Sequence, residues 1–268
     1  MRTGLGRAAQ LEAVIRQEPT IMNSLSDAES YFREVLLPPV QALVADLHPS
    51  AEEMKPEIHR LLILMPQYDH VVEFGSGTGW RAIALAVGLR AREVVGIDSD
   101  EDAVEQANRQ IGSGFLGKVL SEVSKLTDIY EKPAVRNELT PETRSVVDGI
   151  LSRFRPRPTF RCLHGDLTIG RPIEGLPSNH FDLAHSRYCL YQIYCGDPLS
   201  PSDVDNAIAE MIRVVKPGGV LAAHEPGRCA DSERSPFDMA GFLQRRMELS
   251  LVHCSVVDGS PIVIARKE

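Results

Sequence analysis

Three glycines stand at alternate positions in V-V-E-F-G-S-G-T-G-W, residues Val71 to Trp80. His70–Phe74 is a short valine-rich run of strand type, and Trp80–Leu89 has helical character. Gly75, Gly77 and Gly79 therefore form the turn between a strand and a helix. Without a Cβ in the way, a ligand can lie directly on such a backbone. A second apolar run, Glu93–Ile97, ends at Asp98, 19 residues beyond Gly79. A carboxylate at that place can accept hydrogen bonds from both hydroxyls of a ribose. Glu73 adds a second acid two residues before the first glycine.

A glycine turn with a ribose-binding acid suits NAD or S-adenosylmethionine, and the spacing separates them. A dinucleotide turn has the form G-x-G-x-x-G, its third glycine allowing close helix–strand packing. Here the pattern is G-x-G-x-G, and Trp80 occupies the dinucleotide position. An indole there obstructs that packing. Glu73 would repel a pyrophosphate, whereas it complements the α-ammonium of a methionine tail.

These residues need a scaffold. Strand patterns recur at Thr159–His164, Phe181–His185 and Gly219–His224, separated by helical patterns such as Ser202–Val215. Ser99 and Asp102 are placed to cap the helix that follows Asp98. Strands alternating with helices imply a parallel sheet with helices on both faces. After a helix near 236–247, Leu251–Val257 and Pro261–Ala265 flank Asp258-Gly259-Ser260, a hairpin signal. The expected fold is α/β: a doubly wound, Rossmann-like seven-stranded sheet with an antiparallel C-terminal hairpin. Two additions are helical in pattern. Residues 1–66 form an N-terminal cover, with a leader over 1–22 and a Ser26–Glu29 capping box. Residues 112–158 form an insertion within the core of 67–268, since connections in compact α/β units are short.

The 268 residues carry a net charge of -8, which argues against a nucleic-acid binder. There is no apolar run of membrane-spanning length. Five cysteines (162, 189, 195, 229 and 254) lack zinc-ligand spacing. They are expected to be reduced thiols of a cytoplasmic protein without metal. Arg153, Arg155, Arg157 and Arg161 read as a solvated loop.

On these motifs the sequence resembles the class I S-adenosylmethionine-dependent methyltransferases, in their small-molecule branch. His164-Gly165-Asp166-Leu167 resembles the family's G-D step. F-D-L-A-H-S-R (181–187) resembles its fourth-strand segment, and R-V-V-K-P-G-G (213–219) its turn before strand five. N-P-P-Y, which would mark methylation of planar amino groups, is absent from the fourth strand. The resemblance implies cofactor contacts from Glu73, Gly75, Ser76, Gly77, Gly79, Trp80, Asp98, Ser99, Asp166, Leu167 and Ser186. Asp166 would accept from the adenine amino group.

Methyl transfer is an in-line displacement from a sulfonium. The protein must align the acceptor, exclude water and, for a hydroxyl or protonated amine, supply a base. The candidates beyond strands four and five are His185, Arg187, Tyr188 and His224. Arg187 has Glu225, Glu210 or a substrate carboxylate as possible partners. The expected reaction is O- or N-methylation of a small organic molecule in specialised metabolism, with C-methylation open. A cofactor-binding regulator without turnover and another sulfonium group transfer are the alternatives. The helical additions are expected to close over the acceptor or to form a homodimer contact. Tyr31, Phe32, Leu36, Phe115, Leu116 and Tyr130 would supply apolar surface.

Overall fold

A computed structural model describes residues 32–46, 48–65, 67–112, 115–152, 154, 158–195, 200–226, 237–257 and 260–268. The leader, the Ser26–Glu29 box, Tyr31 and Arg153, Arg155 and Arg157 lie outside them, as do the hairpin residues Asp258 and Gly259.

The chain divides into two compact units. The first contains the described part of 1–46 together with 119–152. Its elements are a π-helical turn, Phe32–Leu36, then α1 (Leu37–Asp46), most of α5 (Phe115–Tyr130), α6 (Pro133–Glu138) and α7 (Pro141–Leu151). Thr140 caps α7 by accepting from the Thr143 N–H, with Pro141 in the first turn where its missing donor costs nothing. Val123, Leu126, Ile129 and Tyr130 on α5 and Val147, Ile150 and Leu151 on α7 are buried, the three-and-four spacing of an amphipathic helix. The Tyr130 hydroxyl donates to Asp148 at 3.0 Å.

The second unit, 47–118 with 153–268, carries the sheet. It begins with α2 (His48–Leu64), which the sequence reading assigns to the N-terminal cover. Met54, Ile58 and Leu61 of α2 instead share a core with Ala82–Leu89 of α3 (Trp80–Leu89). The strands are β1 (His70–Phe74), β2 (Glu93–Asp98), β3 (Thr159–His164), β4 (Phe181–Arg187), β5 (Val215–His224), β6 (Leu249–Val257) and β7 (Ser260–Lys267). Their order is β3-β2-β1-β4-β5-β7-β6. β7 runs antiparallel to both β5 and β6, and the other pairs are parallel. This is the expected seven-stranded sheet with its antiparallel terminal pair.

The strand period distributes side chains between two cores. Val71, Leu183, Val220 and Ala222 face α2 and α3. Val72, Phe74, Ala184 and Leu221 face α8 (Cys189–Tyr194), α9 (Pro201–Val214) and α10 (Met239–Gln244). Tyr194 lies 5.1 Å from Phe237 and 6.1 Å from Phe242, ring to ring, and is therefore core rather than pocket wall. The helix after β2 is α4 (Glu101–Gly112). Its cap is Asp100, whose carboxylate accepts from the N–H groups of Asp102 and Ala103, in place of the expected Ser99. Cys162, Cys189 and Cys254 are free thiols. Cys195 is disulfide-bonded, which corrects the expectation of reduced cysteines throughout.

Candidate active site

The strand order reverses between β1 and β4, and a crevice opens there at the carboxyl ends of the strands. A cavity of about 260 Å³ occupies it, lined by Gly75, Ile97, Asp98, Ser99, Gly165, Asp166, Leu167, Thr168 and the α8 residues Cys189, Gln192 and Ile193.

All three glycines have left-handed φ values: 72° at Gly75, 52° at Gly77 and 85° at Gly79. The N–H groups of Gly75 and Ser76 donate to the Ile97 carbonyl, tying the turn to β2. A Cβ on Gly75 would stand 2.5 Å from the Cys189 Cβ, whereas one on Gly77 would meet nothing within 4 Å. Asp98 closes the turn from the other side. Its Oδ2 accepts from the Gly77 N–H at 2.7 Å and its Oδ1 from the Asp100 N–H at 3.0 Å. Each oxygen keeps a lone pair for a further donor. Across the cavity, Asp166 Oδ1 accepts from the N–H and hydroxyl of Thr168, fixing the short turn Leu167–Ile169.

Five of the sequence-derived contact residues thus line one cavity: Gly75, Asp98, Ser99, Asp166 and Leu167. Glu73, Ser76, Gly77, Gly79, Trp80 and Ser186 lie outside its lining. Glu73 is fully buried on the α2–α3 face. Two side-chain cations face it, Arg81 Nε at 3.5 Å and His185 Nδ1 at 3.8 Å. Arg81 also donates to the carbonyls of Gly75 and Arg187, at 3.0 and 2.9 Å. Ser186 donates to Glu225 at 2.6 Å. Glu225 in turn accepts from the N–H groups of Leu190 and Tyr191 in the first turn of α8. Burial raises the Glu225 carboxyl to about 7 despite these donors.

His185, Arg187 and His224 come together with a residue the sequence reading missed, Glu57 of α2. Register explains the meeting: Glu73 pairs with His185 across β1 and β4, and Arg187 with His224 across β4 and β5. All four side chains are buried. Glu57 Oε2 is 2.9 Å from His185 Nε2, and Glu57 Oε1 contacts His224 Nδ1. Arg187 Nη1 lies 3.8 Å from Glu57 Oε1 and donates to Met54 Sδ. Arg187 therefore pairs with Glu57, not with Glu225 or Glu210; Glu210 holds Arg213 at 2.6 Å. Tyr188 has a left-handed φ of 61°, a strained conformation for a bulky side chain. Its ring centroid lies 5.6 Å from that of His224.

The electrostatics single out His185. Burial opposes charge on His185, but the carboxylates of Glu57 and Glu73 outweigh it and raise the pKa to about 9. Burial likewise opposes charge on Glu57, and its two histidine partners hold it down at about 2. His185 is a buried cation at neutral pH, with no lone pair for a proton. His224 Nδ1 is held against Glu57, and its Nε2 has no hydrogen-bond partner among the described residues.

The donor set fits an adenosyl group. Asp98 and Ser99 offer acceptors for a diol, Asp166 can accept from an exocyclic amine, and Ile97, Leu167 and Ile193 offer apolar surface to a ring.

The family described as "Methyltransferase domain" matches residues 47–260. No curated relative matches the sequence. Among solved structures, the chain is similar to an O-methyltransferase family protein from Burkholderia thailandensis, with 13% identity, 98% of this chain and 70% of that one covered, and a TM-score of 0.51. A protein from Pyrococcus horikoshii OT3 is 15% identical over 81% of this chain and 89% of that one, with a TM-score of 0.50. Both likenesses concern the fold.

Proposed function

The chain belongs to the class I S-adenosylmethionine-dependent methyltransferases, and from that premise we propose that its acceptor is a small organic molecule bearing an O–H or N–H group. The observation that carries this reading is the Glu57–His224 pair at the carboxyl ends of β4 and β5, where open α/β sheets bind their ligands. A carboxylate that fixes the tautomer of an imidazole leaves the second nitrogen to take a proton. Such a base serves an acceptor that must lose a proton as it is methylated. The net charge of -8 favours a small molecule over RNA.

Bound S-adenosylmethionine supplies an activated methyl group on a sulfonium that needs no acid to leave. Asp98 and Ser99 would hold its ribose, and Asp166 and Leu167 its adenine. Gly75 would let it lie against the turn. Arg187 and His185, both cationic and buried beside Glu57, would keep that carboxylate ionised and His224 oriented. Strained Tyr188 would bound the acceptor space next to His224.

The test supplies cofactor labelled on the methyl group to a cell extract with the protein, then divides the label among small molecules, RNA and protein. Label in the low-molecular-weight fraction, lost with His224→Ala but with cofactor affinity retained, supports the reading. Label mainly in RNA overturns it.

A further inference from the structure

The opposite, amino-terminal edge of the sheet carries a second cluster. His70 opens β1, Glu93 opens β2, and His180 immediately precedes β4. β1 lies between the other two: parallel pairing sets His70 beside Glu93, and His180 stands two residues before Asp182, which the register aligns with His70. One ring nitrogen from each histidine and a Glu93 oxygen all lie within 4.8 Å of one another. We propose that His70, Glu93 and His180 bind a zinc-class divalent transition ion, clamping the amino ends of three adjacent strands.

The separations are those of ligands around one ion. His180 Nε2 is 3.0 Å from Glu93 Oε2, and the two imidazole centroids are 4.4 Å apart. Ligands on a tetrahedral zinc with bonds of about 2.0–2.1 Å stand about 3.4 Å from each other. Small side-chain adjustments convert one arrangement into the other. An ordinary His180–Glu93 ion pair needs a single imidazole, yet a second one converges on the same carboxylate.

The neighbours assign the remaining roles. Asp182 Oδ2 is 3.7 Å from His70 Nδ1. Asp182 itself is committed: Oδ2 accepts from the N–H groups of Asp69 and His70, and Oδ1 pairs with Lys216. It therefore stays outside the coordination sphere, a carboxylate beside the His70 ring whose charge favours a cation there. Arg161 Nη2 stands 3.5 Å from Glu93 Oε1, which turns Oε2 toward the ion. The side chains of His70, Glu93 and His180 are 37%, 25% and 36% exposed, so an ion and a water as fourth ligand can enter from solvent. Two imidazoles favour zinc, cobalt or nickel over magnesium or calcium. Five residues of β1, about 13 Å of strand, separate this edge from the glycine turn, so the ion takes no part in methyl transfer.

The experiment uses untagged full-length protein stripped with a chelator and titrated with Zn²⁺ by calorimetry, with Co²⁺ as a spectroscopic reporter. One equivalent should bind with micromolar or tighter affinity, and Co²⁺ should give visible ligand-field bands. A hundredfold excess over the dissociation constant should raise the thermal midpoint by roughly 5 °C. Glu93→Gln and His180→Ala should each weaken binding at least tenfold, while His59→Ala, on exposed α2 surface, should not. If His180→Ala fails to fold, Glu93→Gln, which keeps size and shape, decides. Absence of saturable binding up to millimolar Zn²⁺, unchanged affinity in Glu93→Gln, or Mg²⁺ binding as tight as Zn²⁺ would overturn the proposal.

Discussion

Glu57 and His185, 128 residues apart in sequence, stand 2.9 Å apart with only 4% and 1% of their side chains exposed. The contact joins α2 to the middle of the sheet. Two opposite charges are thereby taken out of water together, which is tolerable only while both remain.

This pair makes stability depend on pH in both directions. His185 is raised from 6.5 to about 9, so its contribution is complete below 6.5 and is lost as pH climbs through 9. Glu57 is lowered from 4.5 to about 2, so its contribution is complete above 4.5 and is lost as pH falls through 2. For this pair alone the optimum spans pH 4.5 to 6.5, but Glu225, raised by burial from 4.5 to about 7, loses stability across that span, so the urea midpoint should peak near pH 4.5 and decline above it. Glu57→Gln should cost about 3–5 kcal/mol by stranding a buried cation, and should move the alkaline loss toward neutral pH. A flat profile in the parent protein would contradict the pairing.

Asp98→Ala should weaken S-adenosylhomocysteine at least tenfold by calorimetry. Hydrogen bonds to a charged acceptor are worth about 1.5–3 kcal/mol each, and a ribose offers two. Unchanged affinity would mean that another acid holds the diol.

The two acids of this site differ in how openly the sequence displays them. Asp98 follows a valine-rich strand at a fixed distance from a glycine turn, so local pattern and spacing suffice to find it. Glu57 lies in H-P-S-A-E-E-M-K-P-E-I-H-R, where it looks like one more solvent-facing helical acid. Only the register that aligns His185 with Glu73, and Arg187 with His224, creates a buried place for it. β5 begins at Val215, four residues before the expected Gly219, because K-P-G-G does not look like strand in sequence, but most strands were legible as short apolar runs. The grouping of α2 with the sheet was not, because packing of Met54 and Ile58 against α3 is a tertiary choice. The α8 wall of the cavity left a faint trace: Leu190 and Tyr194 are buried at i and i+4 in C-L-Y-Q-I-Y.

Asp166→Ala should weaken the cofactor while leaving the thermal midpoint nearly unchanged, since Asp166 Oδ1 supports only a short turn. Replacing adenine by hypoxanthine in S-adenosylhomocysteine should cost the parent protein more than the variant. Equal losses in both would refute the contact with the amino group.

Gly75→Ala and Gly77→Ala should fail in different ways. At Gly75 a methyl group meets Cys189 at 2.5 Å in addition to the left-handed strain, so folding should lose about 2–5 kcal/mol. At Gly77 there is open space, leaving only the strain of about 1–2 kcal/mol. Gly77→Ala should therefore stay folded and lose cofactor affinity severalfold. Paired melting and calorimetry distinguish the two; equal melting points would refute the difference.

Arg81 holds the carbonyls of Gly75 and Arg187 with a single guanidinium. Those carbonyls sit at the ends of β1 and β4, the two strands that part to form the crevice. The width of the gap is thus fixed before a ligand arrives, as a rivet fixes the opening of two plates. Entry into this part of the molecule is then a bimolecular event without a sheet-opening step behind it. Observed association rates should rise in proportion to ligand concentration, and any slow, concentration-independent phase must originate elsewhere in the chain.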